Sequence, residues 1–289
     1  MITPNQEAPQ LAKALGLNVP LYLKREDLHP YGSHKGRSIP YMIEQYAKGG
    51  AKHFAISSSG NAAIAAALYI TDYNIKFTES PLSLQIFVGE NISDGKYQTI
   101  KQLKRSNEDR ITLTQTDKPK QAVHKLNKSG EAKALRQSTD PLALVGYASL
   151  IEELGEIQNI ESVFVPTSSG TTAEALAEKF RIEIVQTSKC HPISEQFDTN
   201  FTPSTESLAD AIVDIVAKRG ETLVGKIKAS GGGGWVVSND EIRSAQALLK
   251  ETEDIDASPN GILGLAGLVK SLASGQTYSE PVVCIITGK

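Results

Sequence analysis

The sequence predicts an α/β protein of two doubly wound domains with mostly parallel sheets. Short segments rich in β-branched residues, such as residues 84–88 and 162–166, alternate with helix-like segments along most of the 289 residues. This alternation is typical of βαβ units, in which a helix connects two parallel strands. The chain shows no internal repeat and no low-complexity tract, and it is long enough for one large or two medium domains.

The predicted strands and helices follow one another in a regular order. The first strand, in VPLYLKREDL, ends in charged residues and leads into the tight turn PYGSHKGRSIP. Later strands are predicted in HFAI, LQIFV, RITLT, SVFVP, RIEIVQT and PVVCIIT. Helices are predicted in GNAAIAAALYI, DGKYQTIKQLKR, KPKQAVHKLNKSG, PLALVGYASLIEEL, GTTAEALAEKF and SNDEIRSAQALLKET. Most strands are thus separated by a helix, as a parallel sheet requires.

Local signals support several of these helices. The first is rich in alanine, the residue with the highest helix propensity. In the second, Tyr97, Ile100 and Leu103 recur at the spacing of one helix face. Gly130 is placed to end the third, because glycine readily adopts the left-handed conformation that terminates helices. These signals predict amphipathic helices that pack on a sheet.

The last predicted helix carries the clearest start signal. Ser238 and Glu241 form the pattern of a capping box, in which each side chain bonds the other residue's backbone N–H. Before it, the glycine-rich ASGGGGW at residues 229–235 is predicted to be a flexible hinge or loop. The polar, turn-rich residues 190–207 predict no regular element.

Charge and cysteine content argue against several classes of protein. The formal net charge is -3, with basic and acidic residues mixed along the chain, so neither nucleic acid nor membrane is expected as a partner. Cys190 and Cys284 lie far apart and match no CxxC spacing, and buried, reduced thiols suit the cytoplasm. MITPNQEAPQ lacks the features of a signal peptide, and the most apolar helical run is too short to cross a bilayer. We therefore expect a soluble cytoplasmic protein.

Two predicted strand-to-helix junctions are rich in small hydroxyl residues and glycine. Such junctions bind ligands in parallel sheets, because the unpaired N–H groups and the positive dipole of a helix start attract anions. Taken singly, each junction is equally well explained by ordinary helix capping. Together with Lys35 in a third loop, they favour a site for a small anionic ligand. The residues are Ser57, Ser58, Ser59, Gly60 and Asn61, and Ser168, Ser169, Gly170, Thr171 and Thr172.

Other ligand and reaction classes lack their motifs. Neither junction matches GxxxxGK[ST] or GxGxxG, so nucleotide binding is weakly supported. The chain has no HExxH and no cluster of cysteine and histidine, so no metal site is expected. It also has no GxSxG, the nucleophile elbow of serine hydrolases. The five histidines are scattered, and each alone is better explained as a structural or solvated residue.

Four blocks of the sequence resemble the pyridoxal-phosphate enzymes of the tryptophan-synthase β fold type, also called fold type II. They are LYLKREDLHPYGSHKGR, SSSGNAAIAAA, VPTSSGTTAEA and the terminal VVCIITG. This group includes threonine synthase, serine/threonine dehydratase, cysteine synthase and tryptophan synthase β. The stretches around VPLYLKREDL, VQTSKCHPI and VVSNDEIRSAQALLKE are similar to threonine synthase and the dehydratases in particular. Each block is weak alone, but their order and spacing are specific.

The resemblance implies a role for each block. It makes pyridoxal 5'-phosphate the cofactor and Lys35 the catalytic Schiff-base lysine, with His34 beside it at the cofactor. Asn61 is expected to face the ring hydroxyl of the cofactor, and Thr287 to hydrogen-bond the ring nitrogen. The substrate carboxylate is expected at Ser58, Ser59, Gly60 and Asn61, and the cofactor phosphate at Ser168, Ser169, Gly170, Thr171 and Thr172.

Elementary chemistry agrees with these roles. A lysine that attacks a carbonyl must lose its proton, and an apolar or cationic environment lowers its pKa. A hydroxyl at the ring nitrogen leaves that nitrogen largely unprotonated, which suits elimination or replacement better than transamination. The chain departs from the usual blocks at His34 and Gly36, and at Ser168 and Thr171, which replace glycines of the phosphate loop. Their hydroxyls are still able to donate to a phosphate. The segment DASPNGILGLAG lacks a glutamate that relatives often carry.

We therefore expect a lyase that performs β- or γ-elimination or replacement on a small amino acid and resembles threonine synthase. Serine/threonine dehydratase and cysteine synthase are the alternatives within this class, and a non-catalytic binding module is the alternative outside it. A second anion site, with Arg37 and Lys96 as candidates, would favour threonine synthase. We expect a large cofactor domain from residues 1–30 and 147–289, and a homodimer. A smaller domain from residues 31–146 is expected to carry the lysine and the substrate-carboxylate loop.

Overall fold

The computed structural model describes residues 1–90, 92, 94–105 and 109–288. The chain forms two compact units, Met1–His29 with Tyr147–Lys289, and Pro30–Gly146. The domain ranges expected from the sequence differ from these only in the placement of residue 30. The strands are β1 Asn5–Glu7, β2 Leu21–Arg25, β3 His53–Ser57, β4 Ser83–Val88, β5 Ile111–Gln115, β6 Lys133–Ala134, β7 Ser162–Pro166, β8 Ile182–Thr187, β9 Gly233–Val237 and β10 Val282–Ile286. The helices are α1 Pro9–Ala14, α2 Lys35–Lys48, α3 Asn61–Lys76, α4 Asp94–Arg105, α5 Pro119–Ser129, α6 Leu142–Val145, α7 Ala148–Leu154, α8 Thr171–Leu176, α9 Gly220–Ala229, α10 Asn239–Glu253 and α11 Leu263–Ala273.

The larger unit is built around a sheet with the strand order β1-β2-β10-β7-β8-β9. Strand β1 is antiparallel to β2, and the remaining neighbours are parallel. Strands β7, β8 and β10 are buried along their whole length, which explains the nearly continuous apolar sequences of β7 and β10. The capping box predicted at Ser238 and Glu241 is present at the start of α10.

The smaller unit contains a parallel sheet with the strand order β5-β4-β3-β6. Its core combines apolar side chains of α2, α3 and the central strands β3 and β4. The face predicted for α4 is confirmed, because Ile100 is buried and Tyr97 and Leu103 pack against the same core. Gly130 ends α5 in the left-handed conformation, as predicted. No helix in the described part of the chain is long and apolar enough to cross a membrane.

One predicted helix is wrong. Residues 141–154 form two helices, α6 and α7, which are separated at Gly146 and Tyr147. The chain passes from the smaller to the larger unit at this same point. A Cβ atom on Gly146 would lie 2.5 Å from the Cα atom of Ser38 in α2. The close approach of α2 therefore requires a glycine where the sequence pattern predicts an uninterrupted helix.

The prediction of a flexible hinge or loop at residues 229–235 is correct only for the turn at residues 230–232, and Gly232, Gly233 and Gly234 are closely packed. Gly233 opens strand β9, which pairs with β8. A Cβ atom on Gly232 would lie 2.3 Å from the carbonyl oxygen of Ile182, and one on Gly234 would lie 3.0 Å from the ring of Phe197. These glycines are explained by the close approach of neighbouring groups and not by flexibility.

The local sequence pattern does not predict α1, α2, α9 or α11. Helix α2 contains Pro40 and begins directly after a glycine-containing turn, and both features normally indicate the end of a helix. Helix α11 is buried on most of its surface, so it lacks the amphipathic pattern by which helices are recognised. Tertiary packing thus stabilises these helices, although their local sequences do not predict them.

Candidate active site

Lys35 occupies the first position of α2, at the end of a tight turn in the smaller unit. Gly32 has a φ of 83°, which only glycine adopts readily, and a Cβ atom there would lie 3.6 Å from Ile64 in α3. The buried hydroxyl of Ser33 accepts a hydrogen bond of 3.2 Å from the backbone N–H of Lys35. The turn is thus fixed against α3, and Lys35 projects from a well-defined backbone.

The Lys35 side chain is half-buried, and its amine forms neither an ion pair nor a hydrogen bond with any described residue of its unit. Two lysines of the larger unit, the buried Lys24 and the partly buried Lys270, differ in this respect. Lys24 is paired with Glu153 at 2.5 Å, and Lys270 with Asp198 at 2.8 Å. Because a partly buried amine normally has a partner, Lys35 is the group in this turn that a ligand would engage.

The first hydroxyl-rich junction connects β3 to α3 in the same unit. Ser58, Ser59, Gly60 and Asn61 are all partly exposed, and the backbone N–H of Gly60 donates to the hydroxyl of Ser58 at 3.3 Å. No described residue hydrogen-bonds the side chains of Ser59 or Asn61. The first N–H groups of a helix also lack partners within the helix. The junction therefore offers accessible donors that suit a carboxylate.

Two other candidates in the smaller unit, His34 and Arg37, are less accessible. His34, directly before the lysine, is 9% exposed, and Arg37 is 5% exposed. The side chain of Lys96, the second candidate for an additional anion site, lies outside what the structure describes. Of the two residues considered for a substrate phosphate, one is therefore buried and the other is not described.

The second hydroxyl-rich junction connects β7 to α8 in the larger unit. Gly170 has a φ of 89°, and a Cβ atom there would lie 3.1 Å from a methyl group of α9, so both conformation and packing favour glycine. The hydroxyls of Ser169 and Thr171 share a hydrogen bond of 2.9 Å. Thr171 and Thr172 are buried, whereas Ser168 and Ser169 are partly exposed. The more exposed hydroxyl side chains of this junction thus belong to its first half.

Thr287 directly follows β10 and is buried. Its hydroxyl donates to the carbonyl oxygen of Asn260 at 3.3 Å. Because β10 runs parallel to β7, with Cys284 paired to Phe164, Thr287 and the second junction follow neighbouring strand ends. The structure thus brings these two predicted cofactor contacts to one edge of the larger sheet.

A segment outside the two predicted junctions contacts Ser168. We call residues 207–216 the strap. The Ser168 hydroxyl donates to Oδ2 of Asp214 at 2.9 Å. The hydroxyl oxygen of Ser168 in turn accepts from the backbone N–H groups of Val213 at 3.2 Å and Asp214 at 3.3 Å. No local sequence signal predicts these contacts, since the partners are 45 and 46 residues apart.

The strap also contacts the residue that accepts from Thr287. Oδ1 of Asn260 accepts from the backbone N–H of Ala211 at 2.9 Å, and its Nδ2 donates to Oδ1 of Asp210 at 3.1 Å. A hydrogen-bonded chain of residues therefore runs from Ser168 through the strap and Asn260 to Thr287.

The two cysteines are not suited to act as nucleophiles. Cys284 lies in the middle of β10, and complete burial raises the pKa of its thiol. Burial, followed by the charge of Asp214, also raises the pKa of Cys190. A reactive cysteine requires the opposite shift. Among the described residues, no group of three or more His, Cys, Asp or Glu is placed to hold a metal ion.

Comparison with known proteins identifies the family. The family model described as "Pyridoxal-phosphate dependent enzyme" matches residues 2–288. The chain belongs to this family. Threonine synthase from Methanocaldococcus jannaschii is 25% identical over 310 residues, which cover 99% of this chain and 74% of that protein. The human serine dehydratase-like protein is 31% identical over 155 residues, or 53% of this chain and 44% of that protein.

Solved structures of this enzyme class share the fold. The processed form of threonine deaminase isoform 2 from Solanum lycopersicum matches with a TM-score of 0.79 and 20% identity, covering 99% of this chain and 83% of that one. Maize serine racemase matches with a TM-score of 0.80 and 19% identity, covering 99% and 87%. The expected fold class is confirmed. The protein is a pyridoxal-phosphate-dependent enzyme with relatives among the threonine synthases and serine dehydratases.

The residues of each unit fit the chemistry of this cofactor. An aldehyde requires an amine, and Lys35 supplies one that has no partner in its unit. A phosphate requires several donors and close backbone approach, which Gly170 and the start of α8 provide. A neutral ring nitrogen requires a single donor, and Thr287 carries one hydroxyl at a strand end.

Proposed function

We propose that this pyridoxal-phosphate-dependent enzyme catalyses β- or γ-elimination or replacement on a small amino acid, with a threonine synthase-like reaction as the first candidate. The observation that carries the proposal is the state of Lys35, whose half-buried amine stands on a fixed turn without a partner in its unit. Such an amine is able to bond to a carbonyl carbon and afterwards to accept and return a proton.

The residues of the smaller unit are proposed to bind substrate and to move its proton. When bound, the cofactor supplies an electron sink that acidifies the Cα–H bond of the substrate. Lys35 would hold the cofactor covalently and would carry the Cα proton of the substrate, and His34, the residue before it, would lie beside the cofactor. The substrate carboxylate is proposed to accept from the donors at Ser58, Ser59, Gly60 and Asn61, the last of which also faces the ring hydroxyl.

The residues of the larger unit are proposed to orient the cofactor. The phosphate is assigned to Ser168, Ser169, Gly170, Thr171 and Thr172, and the ring nitrogen to Thr287. The Thr287 hydroxyl donates to the carbonyl oxygen of Asn260, and a rotation of this hydroxyl would direct its proton to the ring nitrogen instead. A hydroxyl donates to a neutral nitrogen but does not stabilise a protonated one as a carboxylate does. This preference supports elimination or replacement over transamination.

Replacing Gly170 by alanine is expected to weaken cofactor binding. An alanine with a φ near the 89° of Gly170 is strained by about 1–3 kcal/mol, and its methyl group would press against α9. The dissociation constant of the cofactor should rise about tenfold for each 1.4 kcal/mol of binding free energy that this strain removes. Absorbance titration with the cofactor measures this. Gly225→Ala in α9, where the added Cβ atom meets no atom within 4 Å, is the control, and equal affinity of the two variants would place the phosphate elsewhere.

The reaction is tested by a panel of substrates. O-phosphohomoserine, threonine, serine and O-acetylserine are assayed separately for threonine, oxo-acid and cysteine formation. We expect elimination or replacement to exceed transamination, and Thr287→Val, which is nearly isosteric, to lower the main rate about 10-fold to 100-fold through the loss of a buried hydrogen bond. Predominant transamination by the wild-type enzyme would refute the proposal. Oxo-acid from threonine or serine, or cysteine from O-acetylserine, would select the dehydratase or cysteine synthase alternative.

A non-catalytic binding module is the alternative of another class. A binding module would not require the Lys35 amine. The chain keeps this amine without a competing partner in its unit, which supports a catalytic function. The absence of every product in the panel, despite bound cofactor, would favour the binding module.

We also propose a homodimer that works in the cytoplasm. Two unpaired, buried cysteines support a reducing compartment. A sedimentation mass of one 31.1 kDa chain would contradict the dimer.

A further inference from the structure

The Ser168 hydroxyl both donates to and accepts from residues of the strap. A serine hydroxyl has one proton and two lone pairs. The proton is directed at Asp214, and the backbone N–H groups of Val213 and Asp214 are directed at the oxygen. In this arrangement the hydroxyl retains no proton for a phosphate. The side chain of Ser168 therefore acts on the strap, while the backbone N–H groups of the loop are left to bind an anion.

We propose that Asp214 is a positioning residue for cofactor binding, which acts through Ser168. By accepting the Ser168 proton, Asp214 closes a clasp between the strap and the loop between β7 and α8. The proposal rests on the proposed function only in assigning the cofactor phosphate to that loop. The Asp214 carboxylate forms no ion pair with any described residue, so the clasp consists of its hydrogen bonds with Ser168.

The strap extends this effect to the other predicted cofactor contact. Asn260 bonds the strap at Ala211 and Asp210, and its carbonyl oxygen accepts from Thr287. A Cβ atom on Gly261 would lie 2.5 Å from the carbonyl oxygen of Gly288, so the turn that carries Asn260 is packed against the end of β10. A continuous network of hydrogen bonds therefore joins the loop between β7 and α8 to Thr287.

Limited proteolysis tests the clasp without any cofactor. Val213, Ile215 and Val216 are exposed, so a protease that cleaves at apolar residues, such as thermolysin, is able to attack the strap once it opens. In the cofactor-free protein, Asp214→Ala and Ser168→Ala should each accelerate cleavage within the strap about fivefold, the population change expected from one lost hydrogen bond. Asp214→Asn keeps an oxygen that accepts the Ser168 proton, and its cleavage rate should stay within about twofold of the wild type.

Cofactor dissociation tests the positioning role. For Asp214→Ala and Ser168→Ala we expect the dissociation constant of pyridoxal 5'-phosphate to rise about tenfold, while that of pyridoxal, which has no phosphate, changes less than about twofold. Asp214→Asn should bind both compounds as the wild type does. Ser204→Ala is the matched control, because Ser204 is also a loop serine that accepts a backbone N–H two residues on but bonds neither Asp214 nor the phosphate loop.

The outcomes separate the clasp from the proposed function. Faster strap cleavage together with a selective loss of pyridoxal 5'-phosphate affinity supports the clasp. Unchanged cleavage and unchanged affinity in both alanine variants overturn it, and so does an Asp214→Asn variant that behaves like Asp214→Ala. Equal weakening of pyridoxal and pyridoxal 5'-phosphate also overturns the positioning role, since the effect would not pass through the phosphate loop. A wild-type enzyme that binds the cofactor but fails the substrate panel contradicts the proposed reaction and leaves these binding results unaffected.

Discussion

Replacing Lys35 by alanine is expected to abolish covalent cofactor binding and to reduce activity by about 10³-fold or more, since both the nucleophile and the proton carrier are lost. The fold should survive, because the half-buried amine makes no contact that stabilises the described part of its unit. Borohydride reduction of the wild-type enzyme, followed by peptide mapping, should place the pyridoxyl group on Lys35. Absorbance of the purified variant in the visible region should be lost.

Lys48→Ala is the control for this result. Lys48 ends the same helix α2, is well exposed and pairs with Glu44 at 2.8 Å. It should keep both the covalent cofactor and the activity. A pyridoxyl group found on any lysine other than Lys35 would refute the assignment of the substrate-carboxylate and phosphate loops as well, because their roles were assigned relative to this lysine.

Replacing Lys24 by methionine is expected to destabilise the larger unit by about 3–5 kcal/mol, the usual cost of leaving a buried charge without its partner. Lys24 is 0% exposed, lies in β2 and is paired in register with Ile285 of β10. Its amine contacts Glu153 at 2.5 Å and donates to the carbonyl oxygen of Thr3 at 2.8 Å. Urea unfolding followed by the fluorescence of Trp235, the one tryptophan of the chain, reports on this unit.

A double variant distinguishes the loss of pairing from the loss of packing. Lys24→Met with Glu153→Leu removes both charges and should recover most of the lost stability, because an apolar pair avoids the cost of burying a carboxylate that has lost its lysine. Lys250→Met, at an exposed pair with Asp254, should leave the unfolding midpoint unchanged. If the double variant were less stable than Lys24→Met alone, the buried charge of Glu153 would not be the cause.

The elements that the sequence predicted correctly are those with a strong local pattern. The buried strands β7 and β10 are short runs of β-branched and apolar residues, and α10 carries its own capping box at Ser238 and Glu241. Such signals depend on neighbours within a few residues, so they are visible without a structure. The failures involve contacts between distant segments. Gly146 interrupts a predicted helix because Ser38 lies against it. Gly232 lies before β9 because the carbonyl oxygen of Ile182 leaves no room for a side chain there.

The candidate site divides in the same way. The sequence alone determined the family resemblance, the choice of Lys35 and the two hydroxyl-rich junctions, because a lysine in a tight turn and a strand followed by small donors are local patterns. Only the tertiary structure decided that Ser168 donates to Asp214 and that Thr287 donates to Asn260, across 46 and 27 residues of chain. A hydroxyl is able to serve a ligand or a neighbouring segment, and the sequence does not state which acceptor lies within reach. That choice depends on the folded positions of distant segments, because a hydrogen bond requires its donor and acceptor to lie within about 3 Å of each other.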